Sequence, residues 1–594
     1  MGEPMTDEPI RITHVSIQNF RCFEHLEGDL QKLTSIVGEN GVGKTALIEA
    51  VSSCAASYTA ANRFSLQDFR HGTEESVTIE VHFSKRFIAK IPDGFQRRNV
   101  ECDAARLVIK HRQRASKALN EPFTIEHYVI PVAGKYGIEP KWVLPRGTGN
   151  GLELTPRNLA FSFVDLEGYP SVFYFGKDRE RQATTGFSTT FKRLMDELNW
   201  RYGKGSAEKR DAVLEAWGKY EDHVRSSIPD ATHEATVEAF KSVSAELLGV
   251  DCDHIEVSLL RLGEPFSRGF IAKRDGMNQI EIADMGSGVS MLLTLALLET
   301  ISSLEKEALI FLIDEPEMHL HPQLQSRVRR HLAASENQVI YTTHSPLMIN
   351  LGDWRSVRRL GGGDSLFPTD ETRALVLKDE NDTEFLLEEC LDDIIKKQKH
   401  ITMLLRENNE MLFARCVALV EGAADKYAIT LLAEPAGYDL RDITVIPAQG
   451  KTKIPDYQLL CTVFGLPYFT VYDKDAGEGN NPHTNALINK LAMTNWVHEF
   501  NPNLEDAFGI SGNAENKGQK TVDAIEACAE KPGDTPEQVV KLIEALAGFQ
   551  TACMTPRTPE ADEDVAVAEA AEDEAEQNTA LLRSLQASGS SKDG

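Results

Sequence analysis

The chain has no C-x-x-C pair. Its nine cysteines, Cys22, Cys54, Cys102, Cys252, Cys390, Cys416, Cys461, Cys528 and Cys553, lie singly along 594 residues. That scatter indicates neither a disulfide framework nor a zinc ribbon, and it fits a reducing compartment. Long hydrophobic runs are missing too. The longest beside a helical pattern, Met291 to Leu298, is too short to cross a bilayer. The first residues, MGEPMTDEPIR, hold no basic stretch followed by an apolar one, so no secretory leader is expected. Basic residues are scarce beside acidic ones: 63 Lys and Arg against 91 Asp and Glu, a formal net charge of −28. A surface of that sign does not coat nucleic acid nonspecifically. Any such contact must use local basic patches and metal ions at phosphate. These absences point to a soluble, cytoplasmic protein with no membrane contact. The length exceeds one core and suggests roughly three domains.

What is present begins with GENGVGKT, Gly38 to Thr45, which fits G-x-x-x-x-G-K-[ST]. The β-branched run Leu33 to Val37 reads as a strand before it, and Ala46 to Val51 as a helix after it. Strand, Gly-rich loop and helix form the context that this motif requires. Gly41 and Gly43, with Asn40 between the flanking turns, let backbone N–H groups close around phosphate at a helix N-terminus. Lys44 can reach the β- and γ-phosphates of ATP, and the Thr45 hydroxyl can ligate Mg2+.

Further strands are expected at Ile10 to Phe20, Ser76 to Phe83, Leu107 to Lys110, Phe123 to Val132 and Ser171 to Phe175, part of them in an antiparallel sheet beside the nucleotide loop. Residues 181–252 turn helical and polar, a candidate dimerisation insert or a plain helical decoration. Ala308 to Ile313 is a continuous apolar run, as in a strand buried on both faces, and it ends in Asp314 and Glu315. Gln338 to Thr343 reads likewise and ends at His344. The expected layout is an ATPase domain at 1–180 and 253–362, split by the insert, then a helical connector at 363–412. A second α/β domain follows at 413–550, with an acidic, disordered tail at 551–594.

Asp314 stands where a Walker B aspartate belongs, sharing Mg2+ with Thr45. Glu315 is placed to polarise the attacking water, and His344 to meet the γ-phosphate. Together, NFRCF, GENGVGKT, MGSGVS, IDEPEMHLHP and TTHSP resemble the ABC-type ATPases of the RecF/SMC/OLD group. The resemblance implies that MGSGVS is a signature segment, with Ser287 and Gly288 completing ATP bound by a partner subunit, and hence a dimer. Gly286 and Val289 depart from the usual L-S-G-G-Q form, which implies slow, regulatory turnover. His319 and His321 read as structural, since no Cys or further His accompanies them.

The second domain carries its own constellation. Val420-Glu421-Gly422 closes a strand, and Asp425 lies four residues after Glu421. Tyr472-Asp473-Lys474-Asp475 ends a later strand. Carboxylates converging at C-terminal strand ends repel unless divalent cations neutralise them, and two such ions suit phosphodiester hydrolysis. A glutamate after one strand and Asp-x-Asp after another resembles the Toprim domain. ABC-type ATPase followed by Toprim resembles the OLD-family endonucleases, which include the nuclease of the Gabija defence system. The resemblance covers Ile10 to about Ala547. It implies one metal at Glu421 and Asp425 and another at Asp473 and Asp475, with Mg2+, Mn2+ or Ca2+ as the ion. It further implies a later acidic ligand, Glu505, and a lysine near the transition state: Lys531, with Lys517 and Lys520 as rivals. Gln449-Gly450-Lys451 resembles the family's phosphate-touching loop.

The expected fold is thus α/β: an ABC/SMC-type head with a helical insert, then a Rossmann-like Toprim domain. The expected function is ATP-regulated, metal-dependent DNA cleavage by a homodimer or homotetramer, in anti-phage defence. The resemblance also admits a helicase-like partner or a reverse-transcriptase and RNA partner. The rival reading is a RecF/SMC-like repair ATPase whose C-terminal domain binds DNA without cutting it. A topoisomerase or primase lacks support, because no tyrosine-bearing or template-binding module accompanies the Toprim pattern.

Overall fold

A computed structural model describes residues 9–55, 64–70, 75–93, 96–111, 123–132, 165–176, 215–216, 219, 272–275, 278–281, 309–362, 365–378, 383–397, 408–475, 481–492, 496–510 and 516–554. The helical insert (apart from residues 215, 216 and 219), MGSGVS with Ser287 and Gly288, and the acidic tail from residue 555 lie outside the described residues. The chain divides into two compact units, Met1–Leu366 and Phe367–Gly594.

The first unit is built on two sheets. In one, β1 (Ile12–Phe20) lies between β2 (Phe23–Asp29) and β4 (Val77–Asp93), followed by β5 (Gln96–His111) and β6 (Phe123–Pro131), with β7 (Asp165–Glu167) also on β4. Its described pairings are antiparallel. The buried residues of β1 are Ile12, Val15, Ile17 and Phe20. Their uneven spacing follows from a bulge between Ile12 and His14 and from the left-handed backbone of Asn19, φ 55°. Strand β2 was not legible in the sequence. It buries only Phe23 and Leu26 and sits at the sheet edge, so it lacks a period-2 apolar pattern.

The other sheet runs β14 (Leu366–Phe367), β13 (Val357–Leu360), β3 (Leu33–Val37), β12 (Gln338–Thr342), β11 (Leu309–Ile313), β8 (Ser171–Phe175). From β13 to β8 every described pairing is parallel. All five residues of β11 and of β12 are buried, because both faces are covered. On one face Ile310, Leu312 and Ile340 join the core of helix Lys44–Ala55 and the antiparallel sheet. On the other, Phe311, Ile313, Val339 and Tyr341 pack with Val328 and Leu332 of helix Pro322–Ala334. Gln338, 1% exposed, is satisfied rather than stranded: its amide donates to Ile12 O at 2.6 Å and accepts from Ile12 N at 2.7 Å. That pair ties the start of β12 to the antiparallel sheet.

Two further two-stranded pieces complete the strands. One is β9 (Ala272–Asp275) with β10 (Asn278–Glu281), the other β15 (Val376–Lys378) with β16 (Glu384–Leu386). The second corrects the expectation of a helical connector at 363–412. Glu384 to Leu386 extend because they pair with β15; a helix then covers Leu387–Lys397, and Asn409–Phe413 form a single 3-10 segment.

The second unit centres on a four-stranded parallel sheet of order β18 (Ile443–Pro447), β17 (Cys416–Val420), β19 (Tyr468–Asp473), β20 (Val497–Phe500). Helices Ala423–Leu432, Lys517–Glu530 and Glu537–Met554 share one core with Ala418, Phe469 and Val471. Helix Ile454–Val463 packs on β17 and β19 outside that core, and its Gln458 donates to Thr470 Oγ1 at 3.1 Å. The chain therefore leaves β17 toward β18 over one face and reaches β19 over the other. The switch point of this sheet lies between the C-terminal ends of β17 and β19, where open α/β sheets form their sites.

One buried imidazole in the first unit gives a test of the fold. Nε2–H of His127 donates to Cys54 O at 2.7 Å, pinning β6 to the end of helix Lys44–Ala55, and burial pushes this histidine down to about 4. An unfolded chain takes up that proton near pH 6.5, so stability is full above pH 6.5 and falls as pH drops toward 4. His127→Gln keeps a donor but does not titrate. Urea unfolding at pH 7.5 and pH 5 is expected to show the wild-type advantage over this variant shrinking by about 2 kcal/mol at the lower pH.

Candidate functional sites

The nucleotide loop connects β3 to helix Lys44–Ala55 through three glycines with positive φ: Gly38 at 138°, Gly41 at 79° and Gly43 at 109°. Gly43 is required sterically as well. A Cβ there would stand 2.5 Å from Cys22 Sγ and 2.7 Å from Phe23 Cζ, in the turn between β1 and β2. The antiparallel sheet thus supports the loop from beneath, while Asn40 and Gly41 stay exposed. Lys44 is buried, and its Nζ donates to Gly38 O at 2.8 Å and Glu39 O at 2.6 Å. Burial pushes this lysine down to about 8, against the raising influence of Glu315, Asp314, Glu317 and Glu39. Arg21 braces the same helix from the strand turn, pairing with Glu49 at 2.5 Å and Asp68 at 2.7 Å.

Strand order decides what faces this loop. Because β12 lies between β3 and β11, the ends of all three strands meet. Asp314, 0% exposed, accepts from Thr45 Oγ1 at 3.1 Å and from Thr342 Oγ1 at 2.6 Å. The next residue, Glu315, has φ 50°, and its N–H donates to Thr342 Oγ1 at 3.0 Å. That left-handed turn brings Glu315 Oε1 to 3.6 Å from His344 Nε2. Thr45, Asp314, Glu315 and His344 therefore form one constellation beside Lys44. His319 and His321 are exposed, and among the described residues no three His, Cys, Asp or Glu side chains already stand at the spacing of a ligated metal.

At the switch point of the second unit, Glu421 follows β17 and Asp473 ends β19. Asp473 N–H donates to Glu421 Oε2 at 3.4 Å, and Asp473 Oδ1 accepts from Leu504 N at 3.1 Å. Asp425 is buried, and its Oδ2 accepts the Gly422 N–H at 2.8 Å, closing the first turn of helix Ala423–Leu432. Burial, with Asp425, Glu421 and Glu505 facing it, pushes Asp473 up to about 8. Asp425 is pushed up to about 6 and Glu421 is also raised, burial leading in both. Carboxylates crowded in this way are the donor type that a hard divalent cation takes, and such a cation would reverse each of these three shifts.

Family models match along the chain in the same order. One described as an AAA domain matches residues 14–127, and one described as an AAA ATPase domain matches 188–349. A third, described as the Overcoming lysogenization defect protein-like, TOPRIM domain, matches 412–475, from just before β17 through Asp475. Among curated proteins, the OLD nuclease of Thermus scotoductus is 23% identical over 572 residues, covering 90% of this chain and 98% of that one. Along its length the chain is similar to the OLD-family ATPase–Toprim nucleases.

The Old nuclease of Escherichia phage P2 is 22% identical, over 78% of this chain and 77% of its own. Among solved structures, the Smc head domain of Pyrococcus furiosus is matched at 14% identity over 65% of this chain and 99% of that one, with a TM-score of 0.35. The recombination mediator RecF with ATP is matched at 12% identity over 57% and 94%, with a TM-score of 0.28. At such scores the head assignment rests on the strand order and loop geometry above.

Within this OLD-like chain the structure regroups the second constellation. Asp473 faces Glu421, Asp425 and Glu505, whereas Asp475 Oδ2 lies 2.5 Å from Lys451 Nζ. The lysine candidates separate as well. Lys517, at the N-terminal end of helix Lys517–Glu530, has Nζ 3.5 Å from Glu505 Oε2. Lys531 caps the other end, about 20 Å away at 1.5 Å per residue. The structure does not bring Lys531 to the carboxylates, and Lys520 is an exposed residue one turn after Lys517.

Glu317 is a residue of this constellation that sequence reading passed over. Its Oε1 accepts from Thr343 Oγ1 at 2.8 Å and from the His344 N–H at 2.6 Å, so it sets the backbone on which His344 stands. The signal was its place in the same E-P-E motif as Glu315, two residues on. Glu317→Ala leaves both donors unpaired. Steady-state assays are expected to show kcat for ATP hydrolysis falling about tenfold with little change in KM, while Glu317→Gln, which still accepts, keeps most of the rate.

Proposed function

We propose that this protein is an ATP-regulated, divalent-metal-dependent DNA endonuclease whose cutting centre is the switch point of the second unit. The observation that carries this reading is Asp473. It is a largely buried carboxyl at a strand end, held by the Leu504 N–H and confronted by Asp425, Glu421 and Glu505. A structural aspartate is not kept among three like charges unless a cation is to join them. A divalent cation held there supplies the charge that activates water and neutralises a leaving oxygen of a phosphodiester. Mg2+, Mn2+ and Ca2+ all suit a carboxylate set.

The chain's own residues do the rest. Glu421 and Asp473 present oxygens from adjacent strand ends, and Asp425 and Glu505 border them. Lys517 at Glu505 is the lysine best placed to meet a phosphate, in preference to Lys531. In the first unit, Lys44 exchanges its bonds to Gly38 O and Glu39 O for phosphate oxygens, and Thr45 and Asp314 hold the nucleotide's metal. Glu315 orients water and His344 meets the γ-phosphate. Ser287 and Gly288 belong to this reading as the completing residues from a second subunit, which makes a homodimer or homotetramer the working form. ATP then times access of DNA to the second unit. A cytoplasmic role in anti-phage defence, with or without a helicase-like or reverse-transcriptase partner, follows from the family resemblance alone.

The rival reading, a repair ATPase whose Toprim unit only binds, differs in one measurable way. Supercoiled plasmid incubated with the protein and Mn2+ or Mg2+ is expected to be nicked or linearised. Asp473→Ala is expected to lower cleavage at least about 100-fold while ATP hydrolysis persists. Lys44→Ala is expected to abolish hydrolysis and to change how cleavage responds to ATP. A wild-type protein that binds DNA but leaves it intact with either metal, with and without ATP, decides for the rival.

A further inference from the structure

Lys451, in the loop that resembles a phosphate-touching loop, is bonded in this structure to the two aspartates' own strand end. Its side chain is 7% exposed. It leaves a loop in which Gln449 has φ 60° and Gly450 φ 125°, and Gly450 N–H donates to Glu421 O at 2.9 Å. The loop is thus fastened to the end of β17. From there Lys451 Nζ crosses to β19, donating to Asp473 O at 2.8 Å and to Asp475 Oδ2 at 2.5 Å. Asp475 is fixed from the other side, with φ 58° and its N–H bonded to Pro502 O at 2.8 Å. Neither partner of this ion pair is a long chain waving in solvent.

The two aspartates of Asp473-Lys474-Asp475 therefore have different neighbours. Asp473 Oδ1 takes only the Leu504 N–H and faces carboxylates, whereas Asp475, which also faces Glu421, has its own carboxylate bonded to an ammonium. We infer that Lys451 is the built-in counter-ion of Asp475, so that this centre takes a single divalent cation, at Asp473 and Glu421, and Lys451 supplies the second positive charge. The inference rests on the metal-dependent reading above and sharpens it. For Asp475 to ligate a second cation, the ammonium must leave. It would then forfeit a charged pair whose ammonium is buried and whose carboxylate is half-buried, and strand the Asp473 carbonyl that it also satisfies; leaving a buried ammonium without its partner is the costly direction. Lysine suits the part: a compact point charge on a flexible stem, able to settle between a carboxylate and a carbonyl.

The test reads metal binding, not cleavage. Mn2+ is titrated into the nucleotide-free, DNA-free full-length protein, following free Mn2+ by electron paramagnetic resonance and heat by calorimetry. One Mn2+ per chain is expected, lost in Asp473→Ala. Asp475→Asn is expected to leave that stoichiometry unchanged and the affinity within about threefold, since Asp475 is not a ligand. Lys451→Met frees Asp475 and is expected to admit a second Mn2+, whereas Lys451→Arg keeps one; thermal melts confirm that each variant is folded. Two ions per wild-type chain, or a loss of affinity beyond about tenfold in Asp475→Asn, overturns the inference. Plasmid cleavage by the same preparation separates the failures. Cleavage with two bound ions sinks only the role of Lys451, while neither binding nor cleavage sinks the metal-dependent reading with it.

Discussion

A carboxylate buried at the C-terminal end of a parallel strand is the constraint on which both units depend. Asp314 is wholly out of water and Asp473 partly so, and the fold must supply hydroxyls, N–H groups or a cation in place of lost solvation. In the first unit Asp314 is wholly buried and takes hydroxyls from Thr45 and Thr342. Those two bonds bring the ends of β11, β12 and the nucleotide loop to one place. In the second unit the Asp473 carboxyl takes a backbone N–H from Leu504 and faces three other carboxylates, while the Lys451 ammonium is bonded to its carbonyl. The first carboxylate is satisfied by the protein. The second is not, and that contrast separates a nucleotide site held ready by its own side chains from the centre proposed to take a metal.

Backbone strain marks both places. Glu315, Gln449 and Asp475 are non-glycine residues with positive φ, and each lies one or two residues past a strand end in or beside a site. Such conformations persist only where surroundings over-determine them. Thr342 fixes Glu315 through its N–H, and Pro502 fixes Asp475 in the same way. The strand supplies direction, and the left-handed residue turns the next side chain toward its partner. Glu317 and Lys451 work one layer out: one sets the His344 backbone, the other holds the second aspartate of its motif.

Much of this was readable in order along the chain. The strands Leu33 to Val37, Ser171 to Phe175 and Cys416 to Val420 and the helix Ala423 to Leu432 stand where their patterns put them; Cys416 to Val420 is the plainest, because burial on both faces leaves an unbroken apolar run. Strand β2 and the short β16 escaped, since edge strands bury too little to leave a pattern. Among site residues, those in contiguous motifs, Lys44, Thr45, Asp314 and Glu315, were nameable, because their chemistry is local to a loop and a strand end. Glu317, which works through a backbone 27 residues away, was not.

The sequence by itself determined the two chemistries, a phosphate-cradling loop with its acidic strand end and a second set of carboxylates at strand ends. Residue type and spacing suffice for that, because a strand end presents its next side chain to the sheet edge. Only the tertiary structure decided the partnerships. Strand order set β12 between the nucleotide loop and Asp314, and parallel pairing of β17 with β19 brought Glu421 beside Asp473. The crossing of Lys451 from the β18 loop to Asp475 divided two aspartates that the sequence shows as equals. Coulomb forces act through space, and the distances that scale them are set by which strands lie side by side rather than by separation along the chain.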